Sequence, residues 1–211
     1  MKLFFRASTL AVFAILSVSA FAQGPSAEAA PTSPSAFTNI KIENFGQMDA
    51  GYYRGAQPMP DDYKSLADLG VKTIVDLRND PTDYEKSAAE AVGIKYVAIP
   101  MSGWRSPKDE DIAKFLEVAN DPNTGVMFVH CKAGIHRTGI TAAVYRMRKY
   151  GWDYDTAYAE MKNYNFSSGL VHGALKKYVK NYAERITTEK TSATTATAAP
   201  VALNEAAAKA N

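Results

Sequence analysis

Apolar runs of strand length alternate with apolar positions at helical spacing along most of this chain. Residues 71–77 read Val-Lys-Thr-Ile-Val-Asp-Leu, and residues 94–99 and 126–129 form further candidate strands. The last of these, Val126-Met127-Phe128-Val129, is wholly apolar, as expected of a central strand covered on both faces. A shorter strand is predicted at Tyr52-Tyr53-Arg54-Gly55, ended by Gly55 and Pro58. Between these runs the period changes. A helix starts at Pro60-Asp61-Asp62 and carries Tyr63, Leu66 and Leu69 on one face before Gly70. A second covers residues 82–92, up to Gly93. The strand at 94–99 is expected to stop at Pro100, and a third helix over 107–119 has Ile112, Phe115, Leu116 and Ala119 on one face. Beyond residue 136 the pattern is helical throughout. Ile140, Ala143, Val144 and Met147 define a helix over 137–150, with Arg146, Arg148 and Lys149 in its last turn, where cations complement the dipole. Gly151 ends it. Asp153 caps another helix, carrying Ala157, Tyr158 and Met161, and a last helix covers 170–186. This order predicts an α/β fold: a central, mostly parallel sheet of four to five strands flanked by helices on both faces.

The two ends do not follow this pattern. Lys2 and Arg6 precede an apolar stretch at residues 10–18, and Ala20-Phe21-Ala22 has the small-x-small form of a cleavage site. Residues 1–22 therefore read as a secretory signal peptide, which predicts a periplasmic or secreted protein with no stable membrane association after cleavage. Residues 23–36 are rich in Ala, Pro and Ser and read as a disordered linker; residues 187–211 are rich in Ala and Thr and read as a low-complexity tail. The domain is then 37–186, long enough for one core. Of 211 residues, 24 are Lys or Arg and 22 are Asp or Glu; without Lys2 and Arg6 the charges balance. No basic stripe argues for a nucleic-acid partner.

The chain has one cysteine, so no intrachain disulfide can form. Cys131 lies in His130-Cys131-Lys132-Ala133-Gly134-Ile135-His136-Arg137-Thr138-Gly139, after a strand and before a helix. A loop feeding a helix N-terminus is an anion site, because the first helical N–H groups lack partners and the dipole favours negative charge. Gly134 allows the backbone angles that turn successive N–H groups inward, so Lys132, Ala133, Gly134, Ile135, His136 and Arg137 are read as phosphate-binding. The same field lowers a thiol's pKa. Cys131 is the candidate nucleophile and Arg137 a planar fork for two phosphate oxygens. Thr138 can donate its hydroxyl to the sulfur. His130 is expected to orient the loop rather than act as a base, and Gly139 to let the helix pack on the strand. These groups stabilise phosphoryl transfer without a metal or other cofactor.

H-C-x-x-G-x-x-R-T-G resembles the signature loop of the cysteine-dependent protein tyrosine phosphatase superfamily. Tyr53-Arg54-Gly55-Ala56-Gln57-Pro58 and Thr73-Ile74-Val75-Asp76-Leu77-Arg78 resemble its compact, dual-specificity-like branch, including bacterial and atypical plant and fungal members. The resemblance spans about residues 40–182. It implies Cys131 as nucleophile, Arg137 as phosphate clamp, a cysteinyl-phosphate intermediate and no metal. The partner is then a phosphorylated protein or a small phosphate ester. A secreted inositol phosphate hydrolase and a phospho-ligand-binding pseudophosphatase are the alternatives. A rhodanese-type sulfurtransferase has a shorter loop without the Arg-Thr-Gly ending.

The family's general acid is an Asp about 30 residues before the cysteine, but residues 99–105 hold no carboxylate. Asp109 is the nearest candidate, followed by Glu110 and Asp111, although acids there also suit an ordinary helix start. Arg54 and Arg78 are expected either to line the pocket or to form structural ion pairs. Trp104 can wall the cleft, Lys132 points outward, His136 is a ligand-contact candidate, and His172 is read as structural or solvated.

Overall fold

The structure, a computed structural model, describes residues 39–169 and 172–208. The leader and linker readings lie outside these residues. Five strands form one sheet: β1 (Gly46–Asp49), β2 (Tyr52–Ala56), β3 (Thr73–Arg78), β4 (Lys95–Met101) and β5 (Met127–Cys131), in the order β1-β2-β5-β3-β4. β1 is antiparallel to β2, and all other pairs are parallel. β5 is central, which explains its continuous apolar sequence.

The period of two divides the sheet residues between two cores. Tyr52, Val75, Leu77, Met127, Val129 and Cys131 face α3 (Asp109–Asn120), α4 (His136–Tyr150), α5 (Tyr154–Asn163) and α6 (Gly173–Ala208). Tyr53, Ile74 and Phe128 face α1 (Asp62–Asp68) and α2 (Glu85–Ala91). The helices therefore lie on both faces, as the pattern predicts. At the strand ends Cys131 and His130 consequently belong to opposite layers.

Four local readings are corrected. Pro100 does not stop β4, which runs on to Met101; β4 is an edge strand, where the missing N–H removes no necessary ladder bond. Arg146 is fully buried rather than dipole-facing, and its Nη2 meets Glu160 of α5 at 2.8 Å; Arg148 and Lys149 occupy the last turn of α4. A Cβ at Gly139 would point at Met161 and Phe166, so the side left open by this glycine faces α5 and the turn after it rather than the strand. The last helix begins at Gly173 and continues through Ala208, where a low-complexity tail was expected from residue 187. Alanine favours the helix. Thr187, Thr188, Thr191, Thr194 and Thr195 each donate to the carbonyl four residues back, and Glu189 pairs with Arg148 at 2.8 Å. Among the described residues no helix is long and apolar enough to cross a membrane.

Candidate active site

The loop between β5 and α4 is held by its carbonyls. Gln57 N–H donates to Lys132 O at 3.3 Å, Asn44 Nδ2 donates to Ala133 O at 2.8 Å, and Arg54 Nη2 donates to Gly134 O. In a trans peptide the next N–H points opposite to the carbonyl. Three carbonyls tied outward therefore turn the N–H groups of Ala133, Gly134 and Ile135 to the inside of the loop. Gly134 takes φ +67, and a Cβ there would lie 2.4 Å from the carbonyl carbon of Gly55. Ile135 closes the loop, its carbonyl accepting from Gly139 N–H at 3.0 Å as α4 begins.

Arg54 is wholly buried and pairs with no carboxylate among the described residues. Its guanidinium lies 4.0 Å from the centre of the Tyr164 ring, and burial holds its pKa below the ordinary arginine range. It lies beneath the loop, neither lining the cavity nor forming an ion pair. Arg78 is the structural ion-pair partner, meeting Glu85 at 3.4 Å and Asp80 at 3.3 Å. Sequence reasoning did not find the clamping role of Asn44, Arg54 and Gln57, although Arg54 and Gln57 fall in the quoted Tyr-Arg-Gly-Ala-Gln-Pro segment. Asn44 carries a weaker signal: its φ of +52 is a conformation asparagine tolerates, and it accepts from Asn165 at 2.7 Å.

Cys131 is 3 % exposed. Burial alone would push its thiol up. The Thr138 hydroxyl and N–H, the Arg137 charge and the Gly134 N–H outweigh burial and hold the thiol below its ordinary value. Arg137 is fixed through one nitrogen. Nη1 donates to Asn79 Oδ1 at 3.1 Å, Met101 O at 3.3 Å and Leu77 O at 3.4 Å, at the ends of β3 and β4. Its Nε and Nη2 make no hydrogen bond among the described residues, and they form the fork a phosphate would accept.

Cys131 and Arg137 share a cavity of about 350 Å³ with Lys132, Ala133, His136, Asn79, Asp80, Gly103, Trp104 and His172. It opens at the carboxyl ends of the parallel strands, the usual binding edge of such sheets. Trp104 walls it, and Lys132 is exposed at its lip. His172, read from the sequence as structural or solvated, is a cavity residue. So are Asn79 and Asp80, which sequence reasoning passed over. Gly134, Ile135 and Thr138 frame the loop without lining the cavity.

Asp109 is not brought to this cavity. Tyr178 donates to its Oδ1 at 2.7 Å and Arg185 at 2.9 Å, and these bonds keep its pKa below the usual carboxylate range. Asp111 lines a separate depression with Lys108 and Lys114. Asp80 lines the site, but the Arg78 hydrogen bond lowers its pKa as well.

Beneath the loop, on the α2 side, His130 is fully buried with Nε2 3.1 Å from Glu85 Oε2. Glu85 also accepts from Thr82 at 2.9 Å, and Asp76 accepts from Tyr96 at 2.7 Å and Arg78 N–H at 2.8 Å. Asp76, Glu85 and His130 are close enough to form a cation cluster. Tyr96, Thr82 and the Arg78 N–H donate to three of the four carboxylate oxygens; the fourth, Glu85 Oε2, has the His130 ring 3.1 Å away but accepts no hydrogen bond among the described residues.

Nucleophile loop, fixed guanidinium and sheet order are those of a cysteine-dependent phosphatase domain. The chain belongs to the family described as DSP-PTPase phosphatase fused to NAD+ kinase, whose model matches residues 35–181. It is 30 % identical over 139 residues to the dual specificity protein phosphatase TpbA of Pseudomonas aeruginosa, covering 65 % of this chain and 62 % of that protein. The chain thus spans less than two thirds of that relative. The P. aeruginosa TpbA cysteine-to-serine variant in complex with phosphotyrosine aligns with a TM-score of 0.53 at 25 % identity, over 67 % of this chain and 90 % of that one. The catalytic core of the S. cerevisiae PP-IP phosphatase Siw14, solved with citrate, aligns with a TM-score of 0.62 at 23 % identity, over 72 % and 95 % of the two chains. The last likeness concerns the fold alone.

Proposed function

We propose that this domain hydrolyses phosphate monoesters of the phosphotyrosine type through a cysteinyl-phosphate intermediate, without a metal. The observation that carries this reading is the convergence of a lowered thiol, three inward N–H groups and a fixed guanidinium fork on one cavity. The Cys131 thiolate attacks phosphorus in line as the ester P–O bond breaks, its electron pair leaving on the ester oxygen. Charge on the equatorial oxygens is held by the Arg137 fork and the loop N–H groups. Water then attacks phosphorus and the P–S bond breaks, returning a thiolate that Thr138 and the loop stabilise.

The bound phosphotyrosine of the TpbA variant supports an aryl ester as substrate. A second reading, a polyphosphorylated small molecule such as an inositol phosphate, is favoured by the exposed Lys132 at the cavity lip. A pseudophosphatase remains the non-enzymatic counterpart. Turnover of p-nitrophenyl phosphate in EDTA, abolished by Cys131→Ser, is the expected result. Ligand binding without Cys131-dependent turnover would identify a pseudophosphatase. A panel of phosphotyrosine peptides, phosphoserine peptides, inositol phosphates and phosphoanhydrides then ranks the substrates. The pattern of residues 1–22 supports action in the periplasm or outside the cell; a mature protein beginning at Gln23 is the expected result of N-terminal sequencing.

A further inference from the structure

A phosphate ester leaves as an oxyanion, and the cavity offers no carboxylic acid to protonate it. Asp80 is the carboxylate on its wall among the described residues, and it is occupied by Arg78 at 3.3 Å. The cavity also contains a stack of rings. Trp104 and His172 lie 5.4 Å apart between centroids and 13° from parallel; His172 and His136 lie 3.6 Å apart and 18° from parallel. His136 is the first residue of α4, next to Arg137, so the stack extends from the phosphate loop along the cavity wall.

The two imidazoles are not equivalent. His136 Nε2 lies 3.2 Å from Ser167 O, which only an N–H at that atom can satisfy. Burial, then the neighbouring His172 and Arg137, hold its pKa below the ordinary value and keep the ring neutral. Neither ring nitrogen of His172 has a hydrogen-bond partner among the described residues. His172 is half-buried and lines the cavity. The charged and titratable groups around it are His136 and Arg137 of α4, Lys132 of the loop and Asp80 after β3.

We propose that His172 is a catalytic residue, the acid that protonates the leaving oxygen. The inference rests on the phosphatase reading above. As the Cys131 sulfur–phosphorus bond forms and the ester P–O bond breaks, the freed oxygen takes the proton of the His172 imidazolium. The neutral imidazole then accepts a proton from the water that attacks the cysteinyl phosphate, which restores the acid and releases phosphate. Trp104, packed on the outer face, keeps the ring over the cavity.

The test compares kcat/KM, which reports the first transfer, for two esters. p-Nitrophenol leaves readily as an anion, whereas phenol depends on protonation. His172→Asn is expected to lower kcat/KM on phenyl phosphate about 100-fold, within the range for loss of a positioned acid, and to alter the p-nitrophenyl rate no more than about threefold. Asp80→Asn should preserve the ratio of the two rates. Equal losses on both esters, or no loss on either, would overturn the assignment, as would a leaving-group-dependent loss in Asp80→Asn. Retained p-nitrophenyl phosphate turnover shows that the variant is folded. If wild type shows no Cys131-dependent turnover of either ester, the phosphatase reading itself fails, and the assignment with it.

Discussion

Replacing Gly134 by alanine adds one methyl group where the loop passes closest to the sheet. That methyl carbon would lie 2.4 Å from Gly55 C and 2.5 Å from both Ala56 N and Gly55 O, all backbone atoms of β2. Ordinary carbon contacts start near about 3.5 Å, so the loop must retreat by roughly 1 Å. β2 cannot give way, because it is hydrogen-bonded to β1 on one side and β5 on the other. The φ of +67 adds about 1–2 kcal/mol for a residue with a Cβ. A displacement of this size beside the reacting atoms costs on the order of 100-fold in rate, about 2.7 kcal/mol in the barrier.

Gly139→Ala is the matched control, five residues on. Its Cβ would meet Met161 and Phe166 at 3.5–3.6 Å, ordinary contact distances, within α4. Alanine in a helix interior is favoured over glycine by roughly 1 kcal/mol. The expected result is a Gly134→Ala protein that is folded but about 100-fold slower on p-nitrophenyl phosphate, with Cys131 alkylated only at higher pH. Gly139→Ala should retain its activity and unfold at equal or higher urea concentration. Gly134→Ala within about threefold of wild type would refute the argument that β2 fixes the loop. A Gly139→Ala protein that loses activity would refute the claim that α4 has room at that point.

Two further substitutions test the supports beneath the loop. Glu85→Gln leaves His130 and Arg78 without their buried carboxylate and is expected to cost about 3 kcal/mol at neutral pH. Burial raises the pKa of Glu85, but His130, Thr82 and Arg78 bring it below its ordinary 4.5, so this stabilisation is present above that value and is lost as pH falls through the folded-state value. Urea unfolding of both proteins should show the gap closing in acid; a pH-independent gap would contradict the assignment. Arg54→Met removes a buried charge that lacks a carboxylate partner, so stability should change by less than about 2 kcal/mol. The Gly134 carbonyl loses its donor and the thiol a nearby cation, so kcat/KM should fall at least tenfold and alkylation should shift to higher pH. Activity loss explained wholly by unfolding would make Arg54 structural only.

What the sequence revealed and what it concealed differ in physical kind. Three of the four parallel strands are buried along their length, and burial favours the apolar runs that mark them; β4 is exposed at Lys95, Ala98 and Pro100 and is legible from Val97, Ile99 and Met101. β1 reads Gly-Gln-Met-Asp and stayed hidden: a short edge strand needs backbone pairing more than apolar side chains. The nucleophile loop is legible because its residues are contiguous. Its clamps are not, because Asn44, Arg54 and Gln57 reach carbonyls some 75–90 positions away, and a carbonyl leaves no mark on the residue that bears it. The helix beyond residue 187 was missed because composition alone suggested a chain with little to bury. The Arg148–Glu189 ion pair ties its start to α4, while five threonine hydroxyls bond back to the helix's own carbonyls, and neither leaves a compositional mark.

The position of the acid is a harder case, and charge decides it. A phosphate ester brings about two negative charges to a loop that already holds a thiolate. A free carboxylate at the cavity would add a further repulsion and would have to be kept protonated by burial or by another anion. The structure does neither for its carboxylates: Asp80 is exposed and joined to Arg78, and Asp109 is joined to Tyr178 and Arg185 away from the site. Both partnerships favour the ionised form. An imidazolium avoids the conflict, because its protonated form is a cation and the incoming anion favours it. The stack of Trp104, His172 and His136 therefore belongs to the same charge balance as Arg137 and the inward N–H groups. It lies outside the signature motif because its members come from three separate segments, the turn after β4, the start of α4 and the turn before α6.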